Sequence, residues 1–177
     1  MDSGSAAVRL LSASGAPVGF GVSGNAVRYA YTSREDAFPD VDPGIRPFGC
    51  MVLVQLRQPM RKTGGGILLT DEDKKTEHYN TQVALVRAIG PVAFHNRNDG
   101  KPWPEGAWAH VGDFVRVPKY QGDRFMVPFA RTERERDPET GKDEPVTRTE
   151  ECIFTLFKDL QLLGLYTDDP LAIRSFY

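Results

Sequence analysis

The sequence is poor in the features that announce catalysis, metal binding or a membrane. Its two cysteines, Cys50 and Cys152, stand far apart and outside any CxxC spacing, so neither a zinc ribbon nor a thioredoxin-type redox motif is encoded. Both lie in apolar runs, where a thiol usually serves as a small buried hydrophobe. A disulfide between them stays open as an alternative, but the cysteine usage fits a reducing cytoplasm. The three histidines, His78, His95 and His110, show no HExxH or HxH spacing, and no metal site is expected. No GxSxG elbow occurs and Cys50 has no evident base partner, so no catalytic residue is assigned. Gly64-Gly65-Gly66 follows Lys62-Thr63 instead of preceding it, and no helical pattern comes after, which excludes a P-loop. No cofactor is expected.

Charge of one sign is also lacking. The formal net charge is −2, with Lys and Arg spread along the chain, whereas a nucleic-acid surface concentrates them on one face or stripe. No apolar run approaches the roughly 20 residues that cross a bilayer. The opening MDSGSAAVRLLSASG has no basic start feeding a sustained apolar stretch, so no signal peptide is expected. Nucleic acid and membrane are therefore set aside as partners.

What the sequence does have is turn residues and short apolar runs. Thirteen prolines and seventeen glycines favour short strands over long helices. The runs "CMVLVQL" (50–56), "TQVALVRAIG" (81–90), "VGDFVRVPKYQG" (111–122), "RFMVPFART" (124–132) and "ECIFTLF" (151–157) are each bounded by turn residues, the pattern of an all-β barrel or sandwich. The first is too apolar for a strand with one face in water. Only "FKDLQLLGLY" has helical spacing, enough for a turn or two. Residues 1–44 differ from the rest. Two β-like runs, "PVGFGVS" and "AVRYAYT", flank a Gly24-Asn25 turn signal, and "FPDVDPGIRP", with three prolines, leads on as an extended linker. Residues 1–44 are thus expected as an N-terminal arm, 45–169 as the barrel and 170–177 as a tail.

Three long connections interrupt the strands, and loops beyond about 12–15 residues in a compact domain are usually functional or disordered. The first, about 57–79, places Ile67-Leu68-Leu69 between Gly64-Gly65-Gly66 and the polar run "DEDKKTEHYN". An aliphatic triplet that its own neighbours cannot shelter is suited to a partner's apolar groove, with the glycines as hinge. The alternative is a strand entering the barrel after a glycine turn. The second, about 94–110, carries Trp103 and Trp108, which either pack back on their own domain or serve a partner contact. The third, about 131–150, is read as a solvated charged hairpin, with a binding arm as the alternative.

In this order the segments resemble the chaperonin-10 family, the GroES-type co-chaperonins. The resemblance rests on Ile45-Arg46-Pro47-Phe48 before the first strand, Gly65-Gly66-Ile67-Leu68-Leu69-Thr70 in the first loop, "VALVRAIG" after it, and Val111-Gly112-Asp113-Phe114-Val115 before a later strand. It implies a small GroES-like β-barrel that assembles as a homo-oligomeric, seven-membered ring and caps a chaperonin-60 cage, assisting a non-native client protein without chemistry of its own. Ile67, Leu68 and Leu69 would bind the chaperonin, and Trp103 and Trp108 would lie in the roof loop. The N-terminal arm, the long tryptophan loop and the charged insertion depart from ordinary members and resemble the co-chaperonins of tailed bacteriophages, which act in the host cytoplasm. The competing reading is a virion structural protein, a capsid decoration or cement subunit built on the same barrel. An alcohol-dehydrogenase-type enzyme of this barrel class is excluded, because the chain has room for neither a nucleotide-binding domain nor its cysteine-rich metal sites.

Overall fold

Strand β1 (Met51–Leu56) has no wet face. Val52, Leu53, Val54, Gln55 and Leu56 are all fully buried, which is why its sequence is almost continuously apolar instead of alternating. The computed structural model describes residue 31 and residues 33–59, 80–136 and 141–171. Around β1 it places β2 (Val83–Ile89), β3 (Phe114–Arg116), β4 (Asp123–Arg136), β5 (Asp143–Lys158) and β6 (Gly164–Leu165). All six form one antiparallel sheet in the order β4-β5-β1-β2-β3-β6. The named helical elements of the described residues are one turn, α1 (Arg34–Ala37), and a 3₁₀ turn at Asp159–Gln161. The expected all-β, GroES-like fold is what the chain adopts. Among the described residues β4 and β6 remain the hydrogen-bonded edges.

Side chains alternate across the sheet and build two separate cores. On the inner face Val52, Val54 and Leu56 meet Ala84, Val86, Val115, Ile153 and Phe157. Burial of each larger aliphatic there contributes about 1.5–3 kcal/mol. On the outer face Leu53 packs with Cys152 and Phe154, while Val83 and Leu85 pack with Ala37 and Phe38. One irregularity sits between these faces. Leu53 pairs with Ala88 but Val54 with Val86, so Arg87 is the extra residue of a β-bulge.

The outer face is covered by residues 33–43. α1 starts at Ser33, whose hydroxyl accepts from Asp36 N while the Asp36 carboxylate accepts from Ser33 N. This reciprocal pair satisfies two orphan donors of a very short helix. Beyond it the chain is extended, as its prolines require, but it is attached along its length. Ala37 O accepts from Gln58 N at 2.8 Å, and Pro39 O accepts from Gln55 Nε2 at 2.8 Å and from Arg87 at 3.0 Å. The segment expected as a linker is therefore a cover, because a sheet apolar on both faces needs one. The hairpin expected around Gly24-Asn25 lies outside the described residues.

The charged stretch 131–150, expected as an excursion between two strands, continues them. The β4–β5 ladder runs unbroken from Asp123↔Leu156 to Arg136↔Asp143, with the turn residues 137–140 outside the described residues. Its outer side carries Phe125, Val127, Phe129, Arg131 and Glu133, each half-buried, and its other side carries Met126, Pro128, Ala130, Thr132 and Arg134, each exposed. Stacked Phe125 and Phe154 (centroids 5.8 Å), the Thr132–Thr147 hydroxyl pair (2.9 Å) and the Arg131–Glu150 ion pair hold the two strands in register. "FKDLQLLGLY", expected to be helical for a turn or two, divides into the 3₁₀ turn and β6.

Two tests follow from this arrangement. At Gly90 a Cβ would lie 2.3 Å from Gly49 O and 2.9 Å from Met51 O, backbone atoms that cannot swing away. Gly90→Ala is expected to destabilise the fold by about 3 kcal/mol in urea denaturation. Cys50 and Cys152 are free thiols, the first half-buried and the second fully buried, and burial raises the Cys152 pKa. In native protein, thiol alkylation followed by mass spectrometry is expected to mark Cys50 first and Cys152 only on unfolding. Equal rates would show that the cover over the outer face opens freely.

Candidate functional site

The aliphatic triplet Ile67-Leu68-Leu69 and the hinge Gly64-Gly65-Gly66 lie outside the described residues, as does His78. What the structure defines is the place where the loop 60–79 is rooted. It departs from Gln58-Pro59, directly after β1, and returns at Asn80-Thr81, directly before β2. Across this neck Arg57 N donates to Val83 O at 3.0 Å, so the two stems stay side by side as continuations of an antiparallel pair.

The outgoing stem is unusually polar for a buried place. Arg57 is 2% exposed, with its guanidinium 5.3 Å from the ring centre of Tyr31 and donating to Pro170 O at 3.1 Å. Such a cation over an aromatic face gains when desolvated. Gln58 O accepts from the Tyr31 hydroxyl at 2.5 Å, and its side-chain amide donates to Glu151 O at 3.0 Å. Nearby, burial pushes the Tyr166 phenol pKa up, and the positive charges of Arg116 and Arg57 pull it part of the way back. The signal for these residues was present in "VLVQLRQ". Gln55 and Arg57 fall two apart, on one face of an otherwise apolar strand, where polar groups need designated partners.

The second loop is a braced unit at one end of the inner core. Trp103 and Trp108 stack with centroids 6.0 Å apart, Phe94 meets Trp108 edge-on at 5.7 Å, and both indoles pack on the inner cluster. Trp108 Nε1 donates to Glu105 at 3.2 Å. Of the two readings of this pair, packing back on their own domain is the one the geometry displays. The brace depends on Asp159, which is fully buried. Its carboxylate accepts from Phe94 N at 2.7 Å, from Leu160 N at 2.8 Å and from the Arg97 guanidinium. Phe94 alone among described non-glycine residues has a positive φ, 60°, a conformation that needs such external support. Nothing in "FKDLQLL" marked this aspartate as an anchor, because Phe94 and Arg97 lie more than sixty residues away in the chain.

The remaining candidates stay apart. His95 Nδ1 contacts Ala93 O at 2.7 Å, and His110 lies 3.6 Å from Asp113. Among the described residues no group of three or more His, Cys, Asp and Glu is placed to hold a metal, and no helix is long and apolar enough to cross a membrane.

Removing the Asp159 carboxylate strands a buried N–H and a strained backbone turn. Asp159→Ala is expected to cost about 2–4 kcal/mol, and Asp159→Asn, which keeps an acceptor, less. Urea melts monitored by tryptophan fluorescence would measure both, since Trp103 and Trp108 report the braced loop directly.

No curated protein matches the chain. The family model of the chaperonin 10 kDa subunit matches residues 44–134, just over half of the sequence. The match begins at the end of the outer cover, takes in β1, both loops, β2 and β3, and stops within β4 where that strand continues beside β5 away from the rest of the sheet. With the antiparallel β fold described, this match shows that the chain belongs to the chaperonin 10 family.

Proposed function

We propose that the protein is a co-chaperonin that assembles as a ring and caps a chaperonin-60 cage through Ile67, Leu68 and Leu69. The observation that carries this reading is the placement of the family match across the rooted loop: the loop springs from the neck between β1 and β2, with the triplet near its middle and glycines on its approach. The family gives the general co-chaperonin role, association with a chaperonin ring and a binding function in place of catalysis.

The energetics favour a ring. Burying three aliphatic side chains in a partner's groove gains about 1.5–3 kcal/mol each, while ordering about ten loop residues costs about 1–2 kcal/mol per residue. One loop alone therefore binds weakly. Linked copies raise the effective concentration of the others, with avidity gains of about 10²–10⁴, and weak single contacts let the lid leave again. Exposed apolar residues Ile45, Phe48, Leu160, Leu163 and Leu165, together with the free edge at β6, support contact between copies, with seven as the expected number. The Trp103–Trp108 loop then forms the roof. The long β4–β5 ribbon and the outer cover support a divergent member of the bacteriophage kind, working on a bulky client in the cytoplasm of the host.

The test is native mass spectrometry with a bacterial chaperonin and nucleotide. Wild-type rings are expected to bind, and Leu68→Asp to abolish binding, at least 100-fold, while the rings persist. Rings that ignore the chaperonin in both forms would remove this reading. High-copy presence in purified virions would instead support a capsid role.

A further inference from the structure

The root of the loop is fastened at Arg57 and Gln58, and most of its fasteners come from a segment outside the family match. Tyr31 and residues 33–43 touch that neighbourhood from two directions. At one end, the Tyr31 ring lies over Arg57, its hydroxyl donates to Gln58 O, and Ala37 O accepts from Gln58 N. At the other, Asp36 forms an ion pair with Arg131 of β4, whose guanidinium also reaches the Asp36 carbonyl at 3.4 Å. Gln58 completes the circuit by donating to Glu151 O of β5. One short stretch thus ties the stem of the loop to the base of the ribbon.

Core cover alone does not account for these contacts. Phe38 and Ala37 already fill the outer face beside Val83 and Leu85, whereas Tyr31 and Asp36 spend polar groups on the last residues before the loop departs and on the strand beside it. A loop that must be ordered on docking binds better when its stem is already held, because less conformational freedom remains to be lost.

We propose that Tyr31 and residues 33–43 act as a strap that fixes the stem of the 60–79 loop, with Tyr31 and Asp36 as positioning residues for chaperonin docking. This rests on the co-chaperonin reading for its partner, but the strap's hold on the stem is measurable without one. The strap does not itself touch the chaperonin. It sets the direction and stiffness of the stem from which Ile67, Leu68 and Leu69 are presented.

The experiment uses the full chain and four proteins: wild type, Tyr31→Phe, Tyr31→Ala and Asp36→Asn. Amide hydrogen exchange reads the stem at Arg57 and Gln58, with Val54 and Val86 as controls within the sheet. Chaperonin affinity with nucleotide is measured in parallel, and native mass confirms the oligomer. Tyr31→Ala is expected to speed exchange at Gln58 about tenfold, leave the controls unchanged and weaken chaperonin binding about tenfold. Tyr31→Phe, which keeps the ring over Arg57 and loses only the hydroxyl, should show about a threefold effect on both, and Asp36→Asn a similar one. Three results would overturn the proposal: unchanged exchange at the stem, acceleration spread through the sheet, or wild-type affinity despite a loosened stem. If wild type fails to bind any chaperonin, the partner reading falls and the exchange pattern alone decides whether the strap holds the stem.

Discussion

A strand that is dry on both sides dictates most of this molecule. With β1 at the centre of the sheet and its odd and even residues both buried, one apolar layer must lie beneath it and another above. The inner layer closes through the tryptophan loop, and the outer layer through residues 33–43 and the aromatic half of the β4–β5 ribbon. Neither layer is optional, since exposing Leu53, Phe154 or Leu85 would leave an apolar patch of the kind soluble chains avoid. The additions that set this chain apart from a minimal barrel are thus parts of its core as well as ornaments on it.

The same requirement explains why buried polar residues collect on the outer face. Gln55, Arg57 and Gln58 each sit under the cover and each finds a backbone carbonyl: Pro39, Pro170 and Glu151 respectively. Pro39 lies on extended, proline-interrupted chain whose carbonyls are not engaged in a ladder, so its carbonyl can accept from both Gln55 and Arg87. The bonds to Pro39 O and from Gln58 N to Ala37 O fix the register of the cover against the sheet.

Much of the architecture could be read from residue patterns, and the failures share a cause. β1 and β2 were visible as runs of valine and leucine, and β4 and β5 as apolar stretches ending at Thr132 and beginning at Glu151. The last four residues of β4 and the first eight of β5 were hidden, because Glu133 and Arg134 face Val146 and Pro145; pairing there depends on cross-strand matches, which hydropathy does not display. β6 was hidden in a leucine-rich segment whose spacing mimics a helix. α1 did leave a trace, the Ser33-x-x-Asp36 spacing of a capping box, but its single turn was too short to register as periodicity. The loop was identified by its composition and family resemblance, yet the residues that anchor it came from elsewhere in the chain. Tyr31, Pro170 and Glu151 reach it only through the fold, as Asp159 reaches Phe94.

Arg57 has one more implication. It touches Tyr31 on one side and Pro170 on the other, so the first and last described parts of the chain meet at a single corner and the backbone traces something close to a circle. Joining them by a short linker and opening the chain at the tip of the ribbon would preserve every ladder, a topological freedom that suits circular permutation. By the same geometry, bulk added at Tyr31 or Pro170 would sit against Arg57, at the root of the loop.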